Sequence, residues 1–183
     1  VLSGGILIMK TNQKKLKKLK NLVENYKIAT QVNCKAFNKQ GKQITESSLQ
    51  NCNFCKRIHT VKESQKECRR SYVYGGYQAE KWGEPYIYFC PFGLVNWAVP
   101  VLENNKLQYI LTGGPVLMQS VNDLLVEDII KQNSIYELDF EEVKKCLEQI
   151  QVVDPTRVRH LAYLLMSLAE NIMAEEVSDI KEK

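Results

Sequence analysis

The sequence predicts an α+β domain: an antiparallel five-stranded sheet with a helical insert and flanking N- and C-terminal helices. Three observations carry that expectation. Leucines at three-four spacing mark both ends of the chain. Alternating, aromatic and β-branched runs mark the middle. A polar stretch and one long helical pattern separate the first two strands from the last three. With 183 residues the chain suits one domain with helical extensions, long enough to bury a core without disulfide staples. Three segments follow: 1–27 as extension and helix, 28–153 as the central domain, and 154–183 as a C-terminal helix.

In the first segment Leu16, Leu19, Leu22, Val23 and Tyr26 recur at helical spacing, with lysines on the other faces. This is a basic amphipathic helix. It packs its stripe on its own domain or on a twin subunit, or it meets a membrane surface or nucleic acid. Residues 28–37 then alternate, 38–42 carry turn chemistry, and a second short strand is expected near Ile44. Residues 46–54, rich in Ser, Gln and Asn, read as a loop. Residues 62–80 read as a helix interrupted at Gly75-Gly76. Strands follow at 86–90, 94–102 and 107–112, the last two joined at Asn104-Asn105 by a tight hairpin turn. Amphipathic helices are expected at 121–132 and 140–150. Asp154-Pro155 supplies an N-cap and an N1 proline to the last helix, where Val158, Leu161, Leu165, Leu168, Ile172 and Val177 form a seam. That seam ends without a capping glycine, so the natural chain is expected to continue. Met9 is a candidate natural start, which would leave residues 1–8 as upstream sequence.

The net charge of +4 is unevenly spread. Residues 1–27 hold seven lysines against Glu24, a net of +6, so the remainder carries −2. The basicity belongs to one segment, and direct nucleic-acid contact by the domain is not expected. The apolar run at 5–9 is far short of the roughly 18 residues a membrane span needs. It also precedes the lysines, the reverse of a secretory signal. A cytoplasmic protein is expected, where six cysteines stay reduced unless they bind metal or do redox chemistry.

The strongest chemical signal is Cys52-x2-Cys55-x12-Cys68-x21-Cys90. Two cysteines three positions apart can grip one soft cation, and thiolates select zinc or an iron–sulfur centre over hard ions. Cys68 and Cys90 would complete a tetrahedral set. Other readings stay open. The four are buried structural thiols, as expected of Cys34 and Cys146; Cys52 and Cys55 are a redox pair; or His59 replaces one thiol as ligand. His160 reads as a surface or interface residue. No Gly-rich phosphate loop and no general acid/base pair is found, so catalytic residues are not expected.

The second signal is aromatic. Nine aromatic residues fall between Tyr72 and Trp97. Most belong to a core. Tyrosine and tryptophan also put a polar tip inside an apolar wall, as small-molecule pockets require. A pocket beside Cys90, with Tyr88 and Trp97 in it, is expected between the sheet and the 62–80 helix. The candidate ligand-binding residues are Tyr72, Tyr88, Cys90, Phe92 and Trp97.

Cys55, Cys68 and the string Tyr86-Ile87-Tyr88-Phe89-Cys90-Pro91-Phe92-Gly93-Leu94, continuing Val95-Asn96-Trp97-Ala98-Val99-Pro100-Val101, resemble the PocR-type sensory domain. That family shows a cysteine and a helix with a second cysteine. A Cys-His-x-Gly-Leu strand pair ending in Pro-Ile and a Gly-Gly-Gln turn come next. Ile44-Thr45 after a Gly-Lys turn, and Val152-Val153-Asp154-Pro155 before the last helix, agree as well. The resemblance covers about residues 14–175, with its specific motifs in 52–115. Pro91 stands where the family has histidine, and Pro115 where it has glutamine, which bears on ligand identity more than on fold.

The resemblance implies a PAS-like fold that senses small hydrocarbon derivatives, such as short alcohols and diols. It also implies an AraC-type DNA-binding or histidine-kinase output domain. The expected function is therefore a sensory module: a small organic ligand shifts the terminal helices of a homodimer, which pass the shift to the output domain. Two rivals are a zinc-bearing interaction domain and a thiol- or metal-dependent enzyme.

Overall fold

The computed structural model describes residues 2–45 and 52–181, with side chains described for 13–45 and 52–172. In chain order the elements are α1 (Leu2–Thr30), β1 (Cys34–Asn38), α2 (Asn53–Ile58), α3 (Lys62–Trp82), β2 (Tyr86–Phe89), β3 (Val95–Glu103) and β4 (Lys106–Val116). Helix α4 (Asp123–Gln132), a 3-10 turn (Ser134–Tyr136), α5 (Phe140–Glu148) and α6 (Pro155–Lys181) complete them. The strands form one antiparallel sheet in the order β1-β4-β3-β2.

The sheet has four strands among the described residues, not the expected five. The strand expected near Ile44 is reduced to one isolated bridge, Phe37 with Gln43. The cause is a side chain that competes with the ladder. Ile44 N–H still donates to the Ala36 carbonyl at 2.8 Å, but the Ala36 N–H donates to Thr45 Oγ1 at 2.9 Å. Most of the expected 46–54 loop lies outside the described residues, yet its end is helical, because α2 starts at Asn53.

Strand pairing starts later than residue 28. Helix α1 runs to Thr30, and Gln31 ends it in the left-handed region at φ 60. Val23 and Tyr26 are buried on the sheet, so packing carries the helix through Ile28 and Thr30. Gly75-Gly76 does not interrupt α3 either. A β-carbon on Gly76 would lie 2.5 Å from Ile110, and one on Gly75 3.0 Å from both Ala98 and Tyr88. The pair is a flat facet that lets the helix lie close on β3 and β4.

The β3–β4 hairpin turns at Asn104-Asn105, both with positive φ (50 and 56), the two-residue geometry that matches strand twist. Side-chain caps start the later helices: Asn122 accepts from the Leu125 amide, Asp139 from Glu142 and Asp154 from Thr156.

Alternation along the strands divides the core in two. Cys34, Ala36, Trp97, Val99 and Leu111 face α1 and α6, where they meet Leu19, Val23, Tyr26, Val158, Leu161 and Leu165. Phe37, Ala98 and Ile110 face the opposite way, toward Tyr72 and Val73 of α3. A third cluster joins α2, the 90–94 turn, α4 and α5 around Phe54, Phe92, Leu94 and Leu147.

Candidate functional site

A cleft of about 410 Å³ opens on the α3 side of the sheet. Its floor is Asn33, Lys35 and Phe37 from the β1 segment, Asn96 from β3, and Thr112, Gly114 and Pro115 from β4. Alternation sends Lys35 and Thr112, which pair across the ladder, into this cleft, while Cys34 and Leu111 turn to the other face. The walls are Cys52, Cys55, Lys56 and His59 on one side, and Gln65, Cys68, Arg69 and Tyr72 of α3 on the other.

Gly114 gives the floor its shape. At φ +104 its β-carbon would stand 2.8 Å from the Val95 carbonyl oxygen and 3.0 Å from Asn96 Oδ1. Glycine alone tolerates both the dihedral and the approach. Asn96 is buried and steadied by donation from Nδ2 to the Leu94 carbonyl at 3.2 Å.

The charge of the cleft is one-sided. Lys35, Lys56 and Arg69 line it, with no Asp or Glu among the described lining residues. Burial lowers the Lys35 pKa, and the thiols of Cys55, Cys68 and Cys52 act in the opposite sense. Burial and then Lys35 lower His59, so its imidazole is neutral at neutral pH. His59 Nε2 sits 3.0 Å from Cys68 Sγ.

The four cysteines expected as metal ligands lie in or against one buried cluster, and three of them, Cys52, Cys55 and Cys68, line the cleft. They are electrostatically unequal. Donation from Cys55 holds the Cys52 thiol down at about 7, and the same contact with burial pushes Cys55 well up. Burial raises Cys68 to about 12 and also raises Cys90, against the nearby amides of Leu94, Phe92 and Gly93. Among the described residues no group of three or more His, Cys, Asp or Glu side chains is arranged to hold a metal ion. Cys52 and Cys55 turn to each other, Cys68 to His59, and Cys90 to the amides of its own turn. Cys34 lies on the far face of the sheet, raised to about 12 by burial.

Of the aromatic candidates, Tyr72 lines the cleft, stacked on Phe37 at 4.6 Å. Tyr88, Cys90, Phe92 and Trp97 are not among the lining residues. Tyr88 packs on Gly75, and its buried hydroxyl has no partner in hydrogen-bonding geometry. Ser71, close to it, donates instead to the Cys68 carbonyl at 2.8 Å. Phe92 meets Tyr136 edge-on at 5.8 Å. Trp97 is wholly buried on the α1/α6 face. Every residue from Val95 to Val101 is buried, so hydrophobicity could not say which face Trp97 takes. The sequence reading also missed Lys35, Asn96, Thr112 and Arg69. Asn96 and Thr112 stand out as polar residues inside apolar strand runs, whereas an alternating strand gives Lys35 no such mark.

A family model described as "Sensory domain found in PocR" matches residues 15–177. Regulatory protein PocR of Salmonella typhimurium (strain LT2) is 26% identical over 125 residues, which make up 68% of this chain and 40% of that protein. The chain thus spans less than half the length of the curated relative it matches. No solved structure matches it.

Proposed function

The chain belongs to the family of sensory domains found in PocR, and from that membership we propose that it is the ligand-sensing part of a bacterial regulator. The cleft on the α3 face carries this reading. Its volume of about 410 Å³ suits a small organic molecule. Asn96, Thr112 and Tyr72 offer donors and acceptors for a short alcohol, a diol or a related hydrocarbon derivative.

Such a ligand acts by binding one arrangement of the domain better than another. In our reading the responding elements are α1 and α6, which share the opposite face of the sheet, within a cytoplasmic homodimer. An output domain, of AraC or histidine-kinase type, receives the change. The relative is named a regulatory protein, which points away from catalysis. No described helix is long and apolar enough to cross a membrane.

Thermal shift of the chain against short alcohols, diols and their oxidised relatives tests the reading. Stabilisation that grows with ligand concentration is expected; no response to any of these compounds at millimolar concentration would reject it.

One observation favours a second role for the same wall: Cys52, Cys55, Cys68 and Cys90 come from three separate segments to lie in or against one buried cluster. On this reading they carry zinc or an iron–sulfur centre after their side chains turn to a common point. Elemental analysis of protein purified without added metal decides it. One equivalent of metal, lost in Cys68→Ser, supports the centre, and metal-free protein with four free thiols excludes it.

A further inference from the structure

Two thiols on the cleft wall are placed for chemistry with each other. The Lys56 amide donates to the Cys52 carbonyl at 3.0 Å, so Cys52 and Cys55 stand about one helical turn apart on one face of α2. Both line the cleft, and both are half-buried. The Cys55 thiol donates to the Cys52 sulfur. β-Carbons three positions apart on a helix lie about 5–6 Å from each other, and a disulfide needs about 3.5–4.5 Å. Cys52 can supply that shift, because it caps the helix from outside, at φ −45 and ψ 128.

The other cysteines each lack one of these conditions. Cys34 is fully buried on the far face of the sheet. Cys68 and Cys90 are buried too, the first against His59 Nε2 at 3.0 Å and the second against the amides of its own turn. Cys146 is half-buried but is not among the residues that line the cleft.

We propose that Cys52 and Cys55 are a redox-active dithiol, which a hydroperoxide entering the cleft oxidises reversibly to a disulfide. The Cys52 sulfur attacks one peroxide oxygen and the O–O bond breaks. The other oxygen leaves with a proton, as water or an alcohol, and Cys52 becomes a sulfenic acid. The Cys55 sulfur then attacks the Cys52 sulfur, the S–O bond breaks, and the hydroxyl departs with the Cys55 proton as water. The two thiols give up two electrons and two protons, and hydrogen peroxide becomes two waters. A small dithiol reverses the step by exchange. The ring that closes is too short to add much to the stability of the fold. Oxidation therefore alters the wall, where two thiol donors are lost, and leaves the architecture in place. The inference does not depend on which ligand the cleft senses.

The test exposes the reduced chain, freed of reductant, to hydrogen peroxide. Remaining thiols are alkylated after unfolding, and unreduced peptides are mapped by mass spectrometry. Cys52 and Cys55 lie between Lys42 and Lys56 in one tryptic peptide, so their link reads as the loss of two hydrogens. The link is expected to form about tenfold or more faster than any change at Cys34, Cys68, Cys90 or Cys146. Dithiothreitol should restore both thiols. Cys55→Ser should stop at a sulfenic acid on Cys52 that dimedone traps, and Cys52→Ser should slow the oxidation of Cys55 by about tenfold or more. Cys146→Ser should leave the link and its rate unchanged, and circular dichroism verifies the fold of each variant.

A pair oxidised no faster than Cys146 would overturn the inference, whether its thiols are free or hold a metal. Cys52 joined to any other cysteine would overturn the pairing. Oxidation of Cys52 to a sulfinic acid in the unsubstituted chain, with no link to Cys55, would overturn the reversible step.

Discussion

A β-carbon on Gly113 would lie 2.2 Å from the indole Nε1 of Trp97. The two residues pair across the β3–β4 ladder, and the glycine leaves the shelf on which the largest fully buried side chain of the core lies. The indole N–H itself has no partner in hydrogen-bonding geometry, although the Tyr26 hydroxyl is close and donates to the Leu161 carbonyl at 2.9 Å. Gly113→Ala should therefore force the ring out of its slot. A loss of about 1–3 kcal/mol is expected, read as a lower urea midpoint at an unchanged slope.

Gly76 and Ile110 make a second such pair, on the other face. The added methyl of Gly76→Ala would meet Ile110 Cδ1 and Cγ1 at 2.5 Å, lifting α3 from the sheet. The single variant should lose about 1–3 kcal/mol. Ile110→Ala opens space at the same point, so the double variant should be more stable than the sum of the two losses predicts. Strict additivity in urea unfolding would show that the two side chains do not share the contact.

Tyr88→Phe should cost nothing or raise stability by up to about 1 kcal/mol. Its hydroxyl is buried without a partner, so deleting it removes a desolvation penalty and leaves the ring stacked on Tyr86 at 5.6 Å. A clear loss in thermal unfolding would mean that the hydroxyl is satisfied in solution.

Cys52 should be the fastest thiol to alkylate near neutral pH. Its thiolate is favoured by donation from Cys55 and by Lys35, which hold its pKa at about 7. The thiolate is the reacting form, so the iodoacetamide rate should rise with pH through about 7 and level off above it. Cys55→Ala removes the donor and should move that midpoint upward, toward an ordinary thiol. Cys34, raised to about 12 by burial, should stay unlabelled throughout in folded protein. Peptide mapping by mass spectrometry checks both, and a Cys52 midpoint in the ordinary thiol range would contradict the contact.

The sequence revealed the helices where amphipathic periodicity and caps agree, as in α5 behind Asp139 and α6 behind Asp154-Pro155. It also revealed the Asn104-Asn105 hairpin, because a two-residue turn fixes its own chemistry. It failed where one local hydrogen bond or one close contact decided the outcome. The hydroxyl of Thr45 captured an amide that a fifth strand would have used. The glycines of α3, read as a break, are a contact surface, and only the partner side chain distinguishes the two. The cysteine wall was legible from spacing, whereas the lysine on the floor was not. A polar residue in an alternating strand points to solvent or into a cavity, and the pattern is identical.

The sheet is a partition one residue thick between two compartments of the molecule. In β1, Lys35 reaches into the cleft, while Cys34 and Ala36, its immediate neighbours, touch the core beneath α1 and α6. Thr112 and Leu111 repeat the relation in β4, and Asn96 and Trp97 in β3. A load placed on the floor therefore needs no relay of side chains to be felt on the far side. The peptide units that carry Lys35 and Thr112 are the same ones that seat the inner faces of both terminal helices.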